Sequence, residues 1–173
     1  MNHKSVSGET IESGGLHTYF EVYGNGTPLF LLHGFTQSSK SWSQFIRAYS
    51  NDYEIYLVDL LGHGKSSAFT EEVSVKSAAH HLKNLIEYLG LDHIHAIGYS
   101  YGGEILFQLA LIDPDLITSM IIIGSCGTWD VKDFPEFVEF LSYKNVENLP
   151  WMREQQLNEE RIKTSLTSFL TTQ

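Results

Sequence analysis

Residues 94–106 read IHAIGYSYGGEIL, and they contain the most informative pattern in the sequence. The apolar run Ile94–Ile97 leads through a turn at Ser100 into apolar residues with helical spacing that begin at Ile105. A serine at a sharp strand-to-helix turn has strained backbone angles, and only small residues two before and two after it leave room for the turn. The pattern predicts that Ser100 is exposed for nucleophilic chemistry beside helix N-terminal amides. A glycine-rich turn with an incidental serine is the alternative.

Other apolar runs predict more strands. Gly14-Gly15 and Gly24-Asn25-Gly26 mark turns around a first strand. Runs that are apolar throughout are typical of strands buried on both faces of a parallel sheet. The strands predicted in this way are Leu16–Val22, Leu29–Leu32, Ile55–Val58, Ile94–Ile97 and Met120–Ile123.

Amphipathic helices alternate with these strands. Apolar residues with spacings of three and four predict helices over Trp42–Tyr49, Val75–Leu89 and Ile105–Ala110. Gly90 provides a C-cap for the second helix. Alternating strands and helices predict an α/β fold with a doubly wound, mostly parallel sheet and flanking helices.

Two further turns follow predicted strands and should meet Ser100 at the carboxyl edge of the sheet, where ligands bind in such folds. His33-Gly34-Phe35 follows one strand, and an eight-residue turn from Asp59 to Ser66 follows another. Acyl transfer needs two amides about 3 Å from the oxyanion, and we expect the amides of Phe35 and Tyr101 to supply them. His33 is interpreted as a structural residue, and Asp59 is expected to accept hydrogen bonds from loop amides.

These three motifs, in this order and spacing, resemble the α/β-hydrolase family over roughly residues 9–126. The resemblance implies that Ser100 is the nucleophile and that Phe35 and Tyr101 form the oxyanion hole. It also implies that residues 127–173 begin a helical lid. The dehalogenase and epoxide-hydrolase branches have an aspartate at the nucleophile position. Serine therefore favours cleavage of an ester, thioester, amide or carbon–carbon bond.

The sequence departs from the family after the lid, where two more strands would be followed by loops that carry the acid and the histidine. Neither strand is found in residues 127–173. His33 and His63 are expected to be the only histidines at the carboxyl edge, both in structural positions. Asp130 is a candidate acid, although Gly124, Ser125 and Cys126 lie nearer the end of the last strand. Loss of the histidine alone costs subtilisin about 10⁶-fold in turnover, so we expect an impaired enzyme.

Composition limits the classes of binding partner, the cellular location and the cofactors that are expected. The formal net charge of −10 disfavours binding to nucleic acid and to anionic membranes. No signal peptide or membrane-spanning run is predicted, and Cys126 is the single cysteine, which favours a cytoplasmic protein. His80-His81 and His93-x-His95 lack further ligands at metal-site spacing, so neither a metal nor another cofactor is predicted.

The predicted domains are an incomplete α/β-hydrolase core at residues 1–126 and a helical lid segment at 127–173. Without an outer neighbour, the Met120–Ile123 strand would expose an unpaired apolar edge. We expect either a homodimer through that edge or lid helices folded over it.

Three hypotheses follow. The first is a serine hydrolase that forms an acyl-enzyme at Ser100 with a small-molecule substrate. The second is a non-catalytic module that binds small molecules or partners, and the third is a half-enzyme completed by another chain. Aromatic residues expected to line the pocket are Phe35, Tyr99, Tyr101 and Trp129.

Overall fold

The structure, a computed structural model, describes residues 8–68, 74–125 and 127. Strands and helices alternate along most of this part of the chain. The strands are β1 Glu9–Ser13, β2 Leu16–Gly24, β3 Thr27–Leu32, β4 Tyr53–Val58, β5 Ile94–Tyr99 and β6 Ile117–Ile123. The helices are a 3₁₀ helix, Ser39–Phe45, that continues into α1 Ile46–Tyr49, followed by α2 Val75–Tyr88 and α3 Tyr101–Ile112.

The six strands form one mixed sheet in the order β1-β2-β4-β3-β5-β6. Pairing is antiparallel between β1 and β2 and between β2 and β4, and parallel among β4, β3, β5 and β6. The parallel strands place the turns after β3, β4 and β5 at one edge, as the sequence predicts. The predicted α/β fold is therefore confirmed.

The structure differs from the sequence predictions at two places. The first is β1, which has no counterpart among the predicted strands, because Ile11 is its one buried residue and the short segment carries no alternating apolar pattern. It pairs with β2 through a turn at Gly14 and Gly15, whose φ angles are 61° and 78°. The helix predicted over Trp42–Tyr49 is 3₁₀ in its first four residues and α-helical in its last four, and the 3₁₀ part begins earlier, at Ser39.

The core has two layers, one on each face of the sheet. On one face, α2 and α3 pack against each other and bury residues such as Phe30, whose ring stacks on Tyr56 at a centroid distance of 4.6 Å. On the other face, Trp42 of the 3₁₀ helix covers Leu31. The central strands β3 and β4 are therefore buried on both sides, as their continuous apolar runs predict.

The ends of α2 lie close to their predicted positions. Ser74 accepts a hydrogen bond from the backbone of Ser77, and the Ser77 side chain accepts one from the Ser74 backbone, which forms a capping box. Gly90 follows the helix with a φ of 68°, a left-handed conformation that glycine adopts without strain.

The apolar run of β6 alone predicts a buried strand, but within the described residues β6 has the exposed and unpaired edge that is expected where an outer neighbour is missing. It lies at the edge of the six-stranded sheet, and Ile121 and Ile123 are 58% and 44% exposed. A continuous apolar run was interpreted as buried on both faces, but the run cannot reveal whether a neighbour covers the strand. In the described part of the chain, its outer edge has no paired strand.

The predicted lid helices, and with them the boundary at residues 126 and 127, lie almost entirely outside the described residues. Within the described ranges, none of the helices has the length and hydropathy needed to cross a bilayer.

Candidate active site

Ser100 lies at the turn between β5 and α3 with φ 49° and ψ −114°. A positive φ is uncommon for residues other than glycine and costs about 1–3 kcal/mol when the surrounding structure imposes it. Ser100 occupies the N-cap position of α3, yet its side chain makes no capping hydrogen bond. A serine at this position normally accepts a bond from the first turn of the helix, so this hydroxyl is not used to stabilise α3.

Close backbone contacts explain the glycines on both sides of Ser100. A Cβ atom at Gly98 would lie 2.7 Å from the carbonyl oxygen of Gly102. A Cβ atom at Gly102 would lie 2.6 Å from the carbonyl oxygen of Leu32, at the end of β3. The first turn of α3 therefore packs directly on the end of a neighbouring strand, which brings the turns after β3 and β5 together.

His33 connects the turn after β3 to the turn after β4. The Leu60 amide donates to Nε2 at 3.0 Å, and Nδ1 donates to the Gly34 carbonyl oxygen at 2.8 Å. Burial lowers the pKa of His33 to about 4, because the charged ring would lose its hydration. The imidazole is neutral at pH 7 with both nitrogens bound to backbone, as its structural interpretation predicts.

His63 makes the reciprocal connection. The Thr36 amide donates to its Nε2 at 3.0 Å, and its Nδ1 donates to the Leu61 carbonyl oxygen at 2.9 Å. The side chain is buried, and its ring lies at an edge-to-face angle to His33 with centroids 5.1 Å apart. Each of the two edge histidines therefore uses both ring nitrogens to hold loops.

Asp59 holds the turn after β4. One carboxylate oxygen accepts from the Ser39 amide at 2.7 Å, and the other accepts from the Lys65 amide at 2.8 Å. The carboxylate is buried, and these bonds replace its lost hydration. The structure thus agrees with the expectation that Asp59 accepts hydrogen bonds from loop amides.

The residues predicted to form the oxyanion hole come together. Phe35 follows β3 and Tyr101 follows β5, and their rings lie 6.0 Å apart in an edge-to-face arrangement. The His63 ring lies 5.4 Å from Phe35 and 5.8 Å from Tyr101. The turns after β3, β4 and β5 therefore meet in one cluster of rings beside Ser100.

The four predicted pocket aromatics differ in exposure. Tyr101 is 3% exposed and Tyr99 is 41% exposed. Burial raises the pKa of the Tyr101 phenol, and its ring belongs to the core, which favours packing over substrate contact. Phe35 is partly buried. Trp129, like the candidate acid Asp130, lies outside the described residues.

One histidine prediction was wrong. His17 also lies at the carboxyl edge, because β2 runs antiparallel to β4 and so begins where β4 ends. Its Nδ1 lies 2.8 Å from the Ser67 hydroxyl oxygen. Strand β2 is three strand spacings from β5, or about 14 Å. His17 is therefore too far away to act directly on Ser100.

The remaining described histidines lie away from this edge. His80 and His81 are on α2, and His93 and His95 lie at the opposite end of β5 from Ser100. In the part of the chain that the structure describes, no three His, Cys, Asp or Glu side chains cluster as metal ligands would.

Two residues of this region, Thr36 and Ser125, could not be predicted from the sequence. Thr36, next to Phe35, has a φ of 64°, a strained conformation for a β-branched residue, and the sequence gives no signal for it. Ser125, in the loop after β6, donates to the Ser100 carbonyl oxygen. Its place after a predicted strand was noted, but only as a position that an acid could have occupied.

Comparisons with known proteins agree with this geometry. The model of the α/β hydrolase fold family matches residues 27–169. A soluble epoxide hydrolase from Corynebacterium sp. is 30% identical over 109 residues, which are 63% of this chain and 38% of that protein. A candidate carbamate hydrolase from Azorhizobium caulinodans is 28% identical over 117 residues, 68% of this chain and 44% of that protein.

A solved hydrolase structure from Pseudomonas aeruginosa superimposes with a TM-score of 0.77 at 15% identity, covering 95% of this chain and 73% of that one. The chain spans about two fifths of the length of the two curated relatives, at 38% and 44%. The family match covers well over half of the 173 residues and includes the Ser100 turn. The chain therefore belongs to the α/β-hydrolase fold family.

Proposed function

We propose that Ser100 is the nucleophile of an acyl-transfer reaction on a small-molecule ester, thioester, amide or carbon–carbon bond next to a carbonyl. The observation that carries this proposal is the strained φ of 49° at a serine whose hydroxyl does not cap the following helix. Strain at a non-glycine residue persists only where the surrounding structure imposes it, and it is often found at functional sites.

The proposed reaction has two steps. The Ser100 hydroxyl oxygen attacks the carbonyl carbon, its proton passes to a base, and the carbonyl oxygen becomes an oxyanion. The amides of Phe35 and Tyr101 donate to that oxyanion, which then collapses and expels the leaving group with a proton. Water attacks the acyl-serine in the same way and releases the acid.

The nucleophile type separates this proposal from the activity named for the epoxide hydrolase relative. A carboxylate that opens an epoxide or displaces a halide forms an ester, which water can hydrolyse. A serine that attacked the same carbon would form an alkyl ether, which water does not cleave under these conditions. Ser100 therefore favours a carbonyl substrate, such as the carbamate named for the other relative.

The base is the least complete part of the proposed site. His33 and His63 already use both ring nitrogens for backbone hydrogen bonds. We propose that neither serves as the base and that the 173-residue chain alone turns over slowly. Oxyanion stabilisation and binding without a triad retain only about 10³–10⁴-fold over water.

A test compares the full chain with Ser100→Ala and with Ser43→Ala, which removes an exposed hydroxyl from the 3₁₀ helix. We expect p-nitrophenyl acetate to acetylate Ser100 slowly and an active-site-directed fluorophosphonate to label it, as seen by intact mass and peptide mapping. Both adducts should persist in Ser43→Ala and disappear in Ser100→Ala. Equal acylation of Ser100→Ala would contradict the proposal.

A second candidate function is a non-catalytic module that binds a small molecule or a partner at the same edge. It is favoured by the hydrogen bonds from both ring nitrogens of His33 and of His63 to backbone groups. Absence of any Ser100 adduct, even after a C-terminal fragment of a relative is added, would support this alternative. Faster labelling with that fragment would instead support a half-enzyme completed by a second polypeptide.

A further inference from the structure

The backbone carbonyl of Ser100 accepts three hydrogen bonds. The amides of Gly103 and Glu104 donate to it at 2.8 and 3.2 Å, as expected for the N-cap residue of a helix. The third donor is the Ser125 hydroxyl, at 2.6 Å, from the loop after β6. Ser125 is 25 residues from Ser100 in sequence and plays no part in the mechanism above.

This carbonyl belongs to the same peptide group as the Tyr101 amide. A carbonyl that accepts a hydrogen bond is polarised, and its peptide N–H becomes a stronger donor, because hydrogen bonds in series reinforce one another. The Tyr101 amide is one of the two proposed oxyanion donors. A change at Ser125 is therefore transmitted through one peptide group to the position where negative charge develops.

We propose that Ser125 is a positioning residue that orients and polarises the Ser100–Tyr101 peptide for oxyanion binding. The inference rests on the proposed acyl-transfer function and names a residue that regulates the strength of that site. Ser125 acts through the Tyr101 amide and does not itself contact the substrate.

Close packing fixes Ser125 in this role. A Cβ atom at Gly103 would lie 2.1 Å from the Ser125 hydroxyl oxygen, so a glycine is needed for the loop to approach the helix. On the other side of the turn, the Ser100 amide donates to the Ile123 carbonyl oxygen at 2.8 Å. The end of β6 and its loop thus hold both polar backbone groups of Ser100.

A second bond ties the same loop to α3. The Gly127 amide donates to the Glu104 carboxylate at 3.2 Å. The loop after β6 is therefore attached to the first turn of α3 at two points, and Ser125 is the one that reaches the Ser100 carbonyl. Removal of the Ser125 hydroxyl should therefore change the polarisation of the Ser100–Tyr101 peptide group, while the loop stays attached to α3 through Gly127.

The expected size of the effect follows from two general magnitudes. Cooperativity changes the strength of a hydrogen bond by about 10–30%, and loss of a whole oxyanion-hole donor slows turnover by about 10²–10³-fold. Loss of the Ser125 hydroxyl should therefore slow acylation roughly two- to eightfold. Ground-state binding should change little, so the effect should appear in kcat and not in KM.

The first experiment needs no activity. Amide chemical shifts of the full chain are compared among wild type, Ser125→Ala, Ser125→Thr and Ser119→Ala. Ser119 is a matched control, because it lies on β6 and its hydroxyl bonds His95 at the opposite end of the strand. We expect the Tyr101 amide proton to move upfield in Ser125→Ala and to return toward wild type in Ser125→Thr.

An unchanged Tyr101 amide in Ser125→Ala would overturn the inference. Shifts of equal size throughout the sheet would also overturn it, because they would indicate a general structural role. The amide signals of α2 report whether each variant is folded. If Ser125→Ala is unfolded, Ser125→Thr still provides a comparison, because it keeps the hydroxyl.

The second experiment measures acylation by p-nitrophenyl acetate. We expect the two- to eightfold loss in kcat for Ser125→Ala, recovery in Ser125→Thr and no change in Ser119→Ala. Equal rates for wild type and Ser125→Ala would contradict the role of Ser125. If wild type itself forms no adduct at Ser100, the proposed function is wrong. The chemical shift of the Tyr101 amide proton then still shows whether Ser125 polarises this peptide.

Discussion

The carboxyl edge of the sheet and the outer face of β6 are built in opposite ways. At the edge, His33, Asp59 and His63 are at most 2% exposed, and each binds backbone groups through two side-chain atoms. On β6, Ile121 and Ile123 are 58% and 44% exposed. Buried side chains therefore hold the loops around Ser100 through hydrogen bonds to backbone. Strand β6, in contrast, has exposed apolar side chains.

The loops around Ser100 and strand β6 should therefore respond differently to substitution. Buried polar groups with every bond made are costly to disturb, because a lost partner leaves an unsatisfied group in the interior. Substitution of an exposed apolar residue on β6 should change the free energy of unfolding little. The unpaired edge of this strand can, however, pair with another strand. Three predictions test this contrast.

The largest expected effect is a loss of stability in acid at the carboxyl edge. The pKa of His33 is lowered from 6.5 to about 4 on folding, so between these pH values the unfolded chain binds more protons. The neutral, buried His33 therefore contributes roughly 3 kcal/mol to the free energy of unfolding. This contribution is fully present above pH 6.5 and is lost as the pH falls toward 4.

Urea unfolding between pH 4 and 7 measures this effect. His33→Gln should reduce the dependence of the free energy of unfolding on pH, whereas His93→Gln, at an exposed histidine, should keep it. If His33→Gln retained the wild-type pH dependence, the neutral interior role of His33 would be wrong.

A smaller effect is expected where α3 packs on β3. In Gly102→Ala the new Cβ atom would lie 2.6 Å from the Leu32 carbonyl oxygen and 2.8 Å from that of His33. Overpacking against backbone costs about 1–3 kcal/mol, offset by up to about 1 kcal/mol from the better helix propensity of alanine. We expect a net loss of about 1–2 kcal/mol in urea unfolding.

Gly34→Ala is the matched control for Gly102→Ala. Its Cβ atom would meet the Tyr99 ring at 2.8 Å, but that ring is 41% exposed and can rotate away. Its loss of stability should be the smaller of the two. The reverse order would mean that backbone packing does not hold the Ser100 turn.

The smallest effect on folding is expected on β6. Ile121→Lys should change the free energy of unfolding by no more than about 0.5 kcal/mol, because the side chain is largely exposed. The same change places a charge on the edge strand and should abolish a homodimer through this strand, which is one of the two arrangements expected for it. Sedimentation velocity over a range of concentrations measures this.

Leu111→Lys introduces the same charge at a 76% exposed residue of α3 and should leave association unchanged. A wild-type chain that stays monomeric at all concentrations, or a dimer unaffected by Ile121→Lys, would show that β6 is not the contact between copies.

The elements that depend on local sequence patterns could be predicted. The apolar run before Ser100 and the helical spacing after it predict β5, α3 and the turn between them, which are all observed. The interpretations of His33 and Asp59 also agree with the structure, because both residues follow directly on predicted strands. Proposed roles in catalysis rest on the same residues and stay predictions.

Local patterns could not locate His17 or Ser125. His17 lies at the carboxyl edge only because β2 runs antiparallel to β4, and the direction of a strand does not appear in its own periodicity. Ser125 reaches the Ser100 carbonyl because β5 and β6 are paired neighbours. The apolar run of β6 resembles that of the central strands, so the run alone does not distinguish this edge strand from a buried one.

The strand–turn–helix unit and the position of Ser100 within it can be predicted from the local sequence, because steric limits on a tight turn act over a few neighbouring residues. The groups that surround this serine depend on the tertiary structure. The bonds from Leu60 to His33 and from Ser125 to the Ser100 carbonyl join residues 27 and 25 positions apart. Such contacts depend on strand order and direction, which the packing of the whole sheet determines.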